Sequence, residues 1–319
     1  MRGPVQSGDA PLNGLTVDVE ESFQVAAFEG CVARGHWECL PARVEGNTRR
    51  ILALCDRHGV RATFFVLGWV ARRHPDLIRA IVSGGHELAS HGMEHVRATR
   101  QDPEVFLADV RQSREILEQI SGVPVVGYRA STYSIGKRNT WAFDKLAEAG
   151  YRYSSSVYPI RHDLYGWPEA PREPFWPSGV VGRGLVEIPV ACLEWAGRRW
   201  PCGGGGFFRL YPYVVTRWAW RRLNVGEGRA GVFYFHPWEL DPGQPRVAGL
   251  RWKSRFRHYL NLERMERRIE ALMGDFRWDR MDRAFAGVIG QVGAGVVGGV
   301  GDGERPHDRS SPTNPTCEP

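Results

Sequence analysis

The sequence predicts an α/β protein built on a parallel sheet, on three observations. Short apolar runs rich in β-formers are separated by stretches whose apolar residues recur at helical spacing. The two kinds of segment alternate, the pattern of βαβ units. Polar motifs close the apolar runs, at the C-terminal strand ends where parallel α/β folds place their active sites.

In order, Leu15 to Val19 reads as a short buried strand. Residues 43–58 carry a helical stripe at Val44, Ile51, Leu52, Leu54 and Cys55, with Gly59 as terminator. Ala62 to Leu67 (ATFFVL) is a strand rich in β-formers. A helix from Pro75 to Val82 ends at Gly84-Gly85, and His86 to Ser90 is the next strand. Asp102-Pro103 is a helix start, a capping side chain followed by proline. Its buried stripe is Val105, Phe106, Val110, Ile116, Leu117 and Ile120. Val125 to Tyr128 is a strand ending at Arg129, and Thr140 to Ala149 is a helix closed by Gly150. Tyr151 to Ser156, Leu185 to Val190 and Val232 to Phe235 complete the strands. Pro159 to Arg183, rich in Pro, Trp and Gly, reads as a long ordered loop and a candidate substrate lip. Arg255 to Met273 is a further helix. Residues 283–319, Gly/Val-rich and then polar with prolines, read as a disordered tail.

A chain of 319 residues holds one large α/β domain or two smaller ones. Its net charge of +6 is almost all arginine, since Lys137, Lys145 and Lys253 are the only lysines. The short basic groups (Arg72-Arg73, Arg198-Arg199, Arg221-Arg222) never grow into a tract, so no nucleic-acid partner is expected. Six scattered cysteines without a Cys-x-x-Cys pair argue against a zinc ribbon or a disulfide scaffold. No stretch at the N-terminus suits a signal peptide, and no apolar run suits a transmembrane helix. The expected location is the cytoplasm.

Several short motifs carry the chemistry. His91 and His95, four apart in Ser90-His91-Gly92-Met93-Glu94-His95, share a helix face or converge from a turn, and can bind one metal ion. Gly92 favours the turn. Asp18 and Glu20 alternate on a strand and so point to one face, where a metal ion or an arginine relieves their repulsion; the alternative is a strand end where both reach solvent. Arg129 can hold a carboxylate by a bidentate contact, or lie on the surface. His236, closing Val232 to Phe235, is a candidate general acid, or a hydrogen-bonded histidine at a strand end. Trp238 suits either sugar stacking or core packing. Gly203 to Gly206 lacks the Gly-Lys-Ser/Thr of a phosphate loop and reads as a flexible turn.

Taken together, TVDVE (Thr16 to Glu20), SHGMEH (Ser90 to His95), YRAS (Tyr128 to Ser131) and FHPW (Phe235 to Trp238) resemble the polysaccharide deacetylase family, also called NodB-homology or carbohydrate esterase 4. DVEESFQV, ATFFVLGWVA, GHELASHG, GGGGFFRLYPY, HPWELDP and SRFRHYLNL resemble its subgroup found with exosortase and exopolysaccharide loci. The resemblance implies a distorted (β/α)7 barrel over residues 12–240, with a subgroup-specific portion over about 155–281. A helical C-terminal extension over 241–282 would follow. It implies a divalent metal ion, usually zinc, held by a carboxylate with His91 and His95. Glu20 is the expected carboxylate ligand, and Glu21, pointing to the opposite strand face, is the second candidate. The implied roles are Asp18 as base, His236 as acid to the leaving amine, and Arg129 as the group that orients Asp18 and keeps it ionised. A backbone N–H near Thr132 would help hold the oxyanion. The implied reaction is removal of N-acetyl groups from amino sugars in a polysaccharide, oligosaccharide or lipid-linked precursor, at the inner membrane face. Ser131 stands where the family usually has proline, and Glu21 and Ser154 where the subgroup commonly has Asp. The competing expectations are a catalytically weakened carbohydrate-binding barrel and a metal-dependent amidase acting on a small non-sugar amide.

Overall fold

A computed structural model describes residues 10–293. Its strands are β1 (Asn13–Val19), β2 (Thr63–Val66), β3 (Glu87–Ser90), β4 (Gly127–Tyr128), β5 (Tyr153–Ser154), β6 (Val186–Glu187), β7 (Cys192–Trp195), β8 (Arg198–Pro201), β9 (Val232–Phe235) and β10 (Trp278–Asp279). Strands β9-β1-β2-β3-β4-β5-β6 run parallel in that spatial order and curl into a seven-stranded (β/α) barrel sheet. The gap between β6 and β9 is bridged by irregular backbone. The Ala191 N–H donates to the Val232 carbonyl at 3.1 Å, and the Tyr234 N–H to the Gly203 carbonyl at 2.8 Å. Strands β7 and β8 form a separate antiparallel hairpin.

Helices α1 (Val44–Arg57), α2 (Gly68–Arg73), α3 (Pro75–Ser83), α4 (Pro103–Ser121) and α5 (Trp141–Glu148) connect the first five barrel strands. Their apolar stripes meet one face of each strand: Leu54, Ile81, Val110 and Leu117 join Val17, Phe64 and Val66 in one buried cluster. The alternate strand residues, Phe65, Ala89, Tyr153, Val186 and Val232, form a second buried cluster, as the period of two requires. Beyond the hairpin come α6 (Gly205–Leu210), α7 (Tyr213–Arg221), α8 (Trp252–Tyr259), α9 (Met265–Asp275), α10 (Met281–Ala284) and α11 (Ala286–Ile289).

Five details differ from the sequence reading. Strands β4 to β6 keep only two residues each; Pro124 and Pro189, which lack an N–H, flank β4 and β6. Asp102 makes no side-chain cap bond to α4, so proline alone marks that start. The expected helix over 255–273 is broken at Asn261, left-handed at φ 53°, because the Arg209 guanidinium draws the His258 and Leu260 carbonyls at 2.9 Å. Residues beyond 240 also belong to the barrel, for β10 pairs with β1. The expected disordered tail begins inside folded structure: Phe285 and Ile289 are buried with Met281 against the second strand cluster. The cause is apolar burial at the N-terminal end of the barrel, where the Met281 N–H meets Thr63 Oγ1 at 2.7 Å. The rest of that tail, from 294, lies outside the described residues.

Nor is the glycine run a flexible turn. Gly204, at φ 119°, lies flat against β9, and a Cβ there would sit 1.9 Å from the Tyr234 carbonyl oxygen. Gly204→Ala should therefore destabilise the protein by about 3 kcal/mol in urea unfolding. Gly59→Ala, left-handed but in open space, should cost only about 1 kcal/mol.

Candidate active site

The parallel register lines up the strand ends. Phe235 pairs with Val17, Val19 with Val66, Val66 with Ser90, Ser90 with Tyr128, and Tyr128 with Ser154. The residues that follow this row, Asp18 and Glu20, His91, Arg129, Ser155 and His236, therefore emerge at one rim.

Arg129 is fully buried. One terminal nitrogen donates to both Asp18 Oδ1 (2.6 Å) and Thr16 Oγ1 (2.7 Å). The other donates to Ser155 Oγ (3.1 Å), Nε donates to the Ser155 carbonyl (3.0 Å), and the Phe65 ring packs 4.1 Å from Cζ. The expected bidentate grip on a carboxylate is replaced by one bond, because the remaining donors serve Thr16 and Ser155. Burial alone would loosen the guanidinium proton; Asp18 outweighs it and raises the pKa.

The SHGMEH motif is a turn. Gly92 (φ 80°) and His95 (φ 53°) are both left-handed. The Gly92 and Met93 carbonyls accept the Gly68 and Trp69 N–H groups that open α2. His91 Nδ1 lies 2.8 Å from the Arg129 carbonyl, which can only accept, so Nε2 keeps its lone pair. Burial lowers the His91 pKa to about 4 and leaves the ring neutral. Nε2 of His91 and of His95 stand 3.8 and 2.9 Å from Glu20 Oε2. Burial works to protonate Glu20, yet the facing histidines, His95 foremost, hold it down at about 2.

These three donors fit a divalent ion. Glu20 Oε2 is buried and accepts no hydrogen bond. The three ligand atoms lie within 4.8 Å of one another, and zinc–ligand distances of about 2.0–2.1 Å in a tetrahedron require about 3.3 Å between ligands. Glu21 turns away: its Oε1 accepts the Arg43 and Val44 N–H groups at 2.7 and 2.9 Å, at the start of α1. It is thereby removed from the ligand set.

His236 faces this centre from β9. Its Nε2 lies 3.5 Å from Glu20 Oε1 and 3.9 Å from Asp18 Oδ2. Its Nδ1 meets Glu239 Oε1 at 2.6 Å, and Arg209 on α6 holds the other Glu239 oxygen at 2.6 Å. Burial disfavours the imidazolium, but the Glu239 bond and the charges of Glu20 and Asp18 prevail and raise the His236 pKa. Trp238 is stacked between His236 and His258 and is buried, which is packing and not an exposed sugar platform. The sequence reading gave Thr16, Ser155, Glu239 and Arg209 no role at the site. Glu239, three residues after His236 across a proline, carried a legible turn signal; Arg209 carried none.

The substituted positions are satisfied. Ser154 Oγ bonds Ser156 Oγ at 2.7 Å, and Ser156 Oγ accepts the Ala130 N–H at 2.9 Å. Ser131 opens a short turn in which Thr132 (φ 56°) and Tyr133 (φ 49°) are left-handed, a strained backbone at the site.

Paired acids, two histidines and a buried arginine meet at the C-terminal rim of a parallel barrel, and Glu20, His91 and His95 among them form a candidate metal site. The polysaccharide deacetylase family profile matches residues 37–154, and a domain of unknown function (DUF3473) matches 155–286. The chain carries a polysaccharide deacetylase domain of the NodB-homology, carbohydrate esterase 4 type. It is 33% identical over 102 residues to a chitooligosaccharide deacetylase from Rhizobium leguminosarum bv. trifolii, covering 32% of this chain and 45% of that protein. It is 26% identical over 126 residues to a peptidoglycan-N-acetylglucosamine deacetylase from Bacillus cereus, covering 40% and 53%. The chain thus spans about half the length of these curated relatives. A crystal structure from Mycobacterium smegmatis, assigned as a polysaccharide deacetylase, shares the fold with a TM-score of 0.59 at 22% identity, over 91% of this chain and 93% of that one.

Glu187 provides a test of how the rim is held. Its Oε1 accepts the Ser156 and Val157 N–H groups at 2.8 Å and so supports the segment that holds Arg129. Burial pushes its carboxyl from 4.5 up to about 7. A raised folded-state pKa gives stability that is full below 4.5 and lost as pH rises through 7. Glu187→Gln keeps the acceptor without the proton. The unfolding free energy of the parent should therefore fall relative to that variant by on the order of 1 kcal/mol per pH unit across this window. Urea melts at both ends of the window decide it, and a constant difference refutes the assignment.

Proposed function

We propose that the protein is a metal-dependent deacetylase that hydrolyses N-acetyl groups of amino sugars in a polysaccharide or its lipid-linked precursor, in exopolysaccharide biosynthesis. The observation that carries this is the meeting of Asp18, Glu20, His91, His95, Arg129 and His236 at one buried rim. Glu20, His91 and His95 would hold the ion, zinc being the usual one. When bound, such an ion polarises a carbonyl and lowers the pKa of water. Asp18 has one oxygen committed to Arg129, which leaves Oδ2 to take the proton of an attacking water. His236, fixed at Nδ1 by Glu239, presents Nε2 on the same side and hands its proton to the departing amine. Arg129 keeps Asp18 in place through its bonds to Thr16 and Ser155. The backbone around Thr132 supplies an N–H for the developing oxyanion. Acetate and a free amino sugar are the products. Resemblance to the exopolysaccharide subgroup supports a reaction in the cytoplasm, at the inner membrane face. Among the described residues no helix is long and apolar enough to cross a membrane.

Acetate release from N-acetylated oligosaccharides by zinc-loaded protein tests this reading. Asp18→Asn should retain the ion and lower kcat by about 10²–10⁴-fold; full activity would remove Asp18 as the base. His91→Ala should lose the ion, read by elemental analysis, with an unchanged circular dichroism spectrum. Glu21→Gln should keep the ion, since that carboxylate serves α1 instead.

A further inference from the structure

An apolar hollow of about 170 Å³ opens between the β7–β8 hairpin and helices α6 and α7. Trp195, Trp200, Phe207, Tyr211, Val215 and Trp218 are among the residues of its wall, and no charged residue lines it. Its edge is exposed: Trp195 by 47%, Trp200 by 41% and Trp218 by 45%, with Val214 at 69% close by on α7. Bulk apolar surface of this kind, gathered in one place, marks a contact with something outside the chain.

The charges at its edge name the partner. In the hairpin, Trp195 pairs with Arg198 and Leu193 with Trp200, so all four side chains lie on the face toward the hollow. Val215 and Trp218 on α7 and Arg222 just after it follow at helical spacing, and Arg221 at the end of α7 stands beside them, exposed. Among the described residues, Arg198, Arg221 and Arg222 make no ion pair and no side-chain hydrogen bond. Tryptophans flanked by free arginines match a bilayer interface, where indoles sit at headgroup level and guanidinium groups meet lipid phosphates. A sugar chain needs hydrogen-bonding groups in the wall to fix its hydroxyls, and this wall has almost none. We propose that this face docks on the surface of an anionic lipid bilayer. The attachment is interfacial, with the hairpin and the exposed side of α7 entering the headgroup layer. Helix α6 lines the hollow with Phe207 and Phe208 and carries Arg209 to Glu239, so the docking face and the His236 support share one helix.

Co-sedimentation of the full chain with vesicles tests the proposal independently of catalysis. The protein should bind phosphatidylglycerol–phosphatidylcholine vesicles, bind phosphatidylcholine alone far less, and be released by salt. Each arginine near an anionic surface strengthens the partition about fivefold, so R198Q/R221Q/R222Q should lose on the order of 100-fold. W195S/W218S should lose on the order of tenfold. Both variants change exposed side chains, and unchanged thermal unfolding will show that they remain folded. No binding to anionic vesicles, or equal binding by either variant, overturns the proposal. So does tryptophan-dependent binding of soluble N-acetylated oligosaccharide at this face without binding to vesicles, which would make the hollow a glycan platform.

Discussion

The Arg129 guanidinium is a full charge with no exposure to solvent, and such a group is tolerated only when its donors are spoken for. Its partners come from three places in the chain: Thr16 and Asp18 on β1, Ser155 after β5, and the Phe65 ring on β2. Its own carbonyl fixes the tautomer of His91. One residue thus sets the orientation of the candidate base and of one candidate metal ligand. Shifting β1 by one residue against its neighbours would turn Asp18 and Glu20 outward and strand the charge.

A second buried chain of charges serves the other side of the centre. Arg209, Glu239 and His236 follow one another at 2.6 Å. Arg209 also draws in the carbonyls that end α8, so the break between α8 and α9 and the orientation of His236 have one cause. Asp18 and Glu239 are each bound to a buried arginine, Arg129 and Arg209, so two of the carboxylates at the rim have their charge matched in a dry place.

The two ends of the barrel divide the labour. The C-terminal rim is polar and carries the candidate site, while Met281, Phe285 and Ile289 fill the N-terminal end. The profile matches cut across this unit: Asp18 and Glu20 precede residue 37, His91, His95 and Arg129 lie within 37–154, and His236 lies within 155–286. The candidate site exists only because β1 and β9 are neighbours in the sheet.

Much of this was legible in the chain itself. Largely apolar runs such as Leu15–Val19 and Val232–Phe235 specify strands by burial, and a polar residue near the end of a run or directly after it lies at a strand end. That is why Asp18, Glu20, His91, Arg129 and His236 could be named from spacing and resemblance. Long-range partners were not legible, since nothing local in Arg209 or Ser155 records what it will face. Side-chain direction at β1 separated Glu20 from Glu21, and the choice appears only when α1 offers its first N–H groups to Glu21. Residues 283 onward read as tail because glycines interrupt their apolar positions. Only the assembled barrel supplies the surface that makes burying them favourable. Local pattern determined the elements and the polar residues at their ends; register and closure of the sheet decided which of them meet.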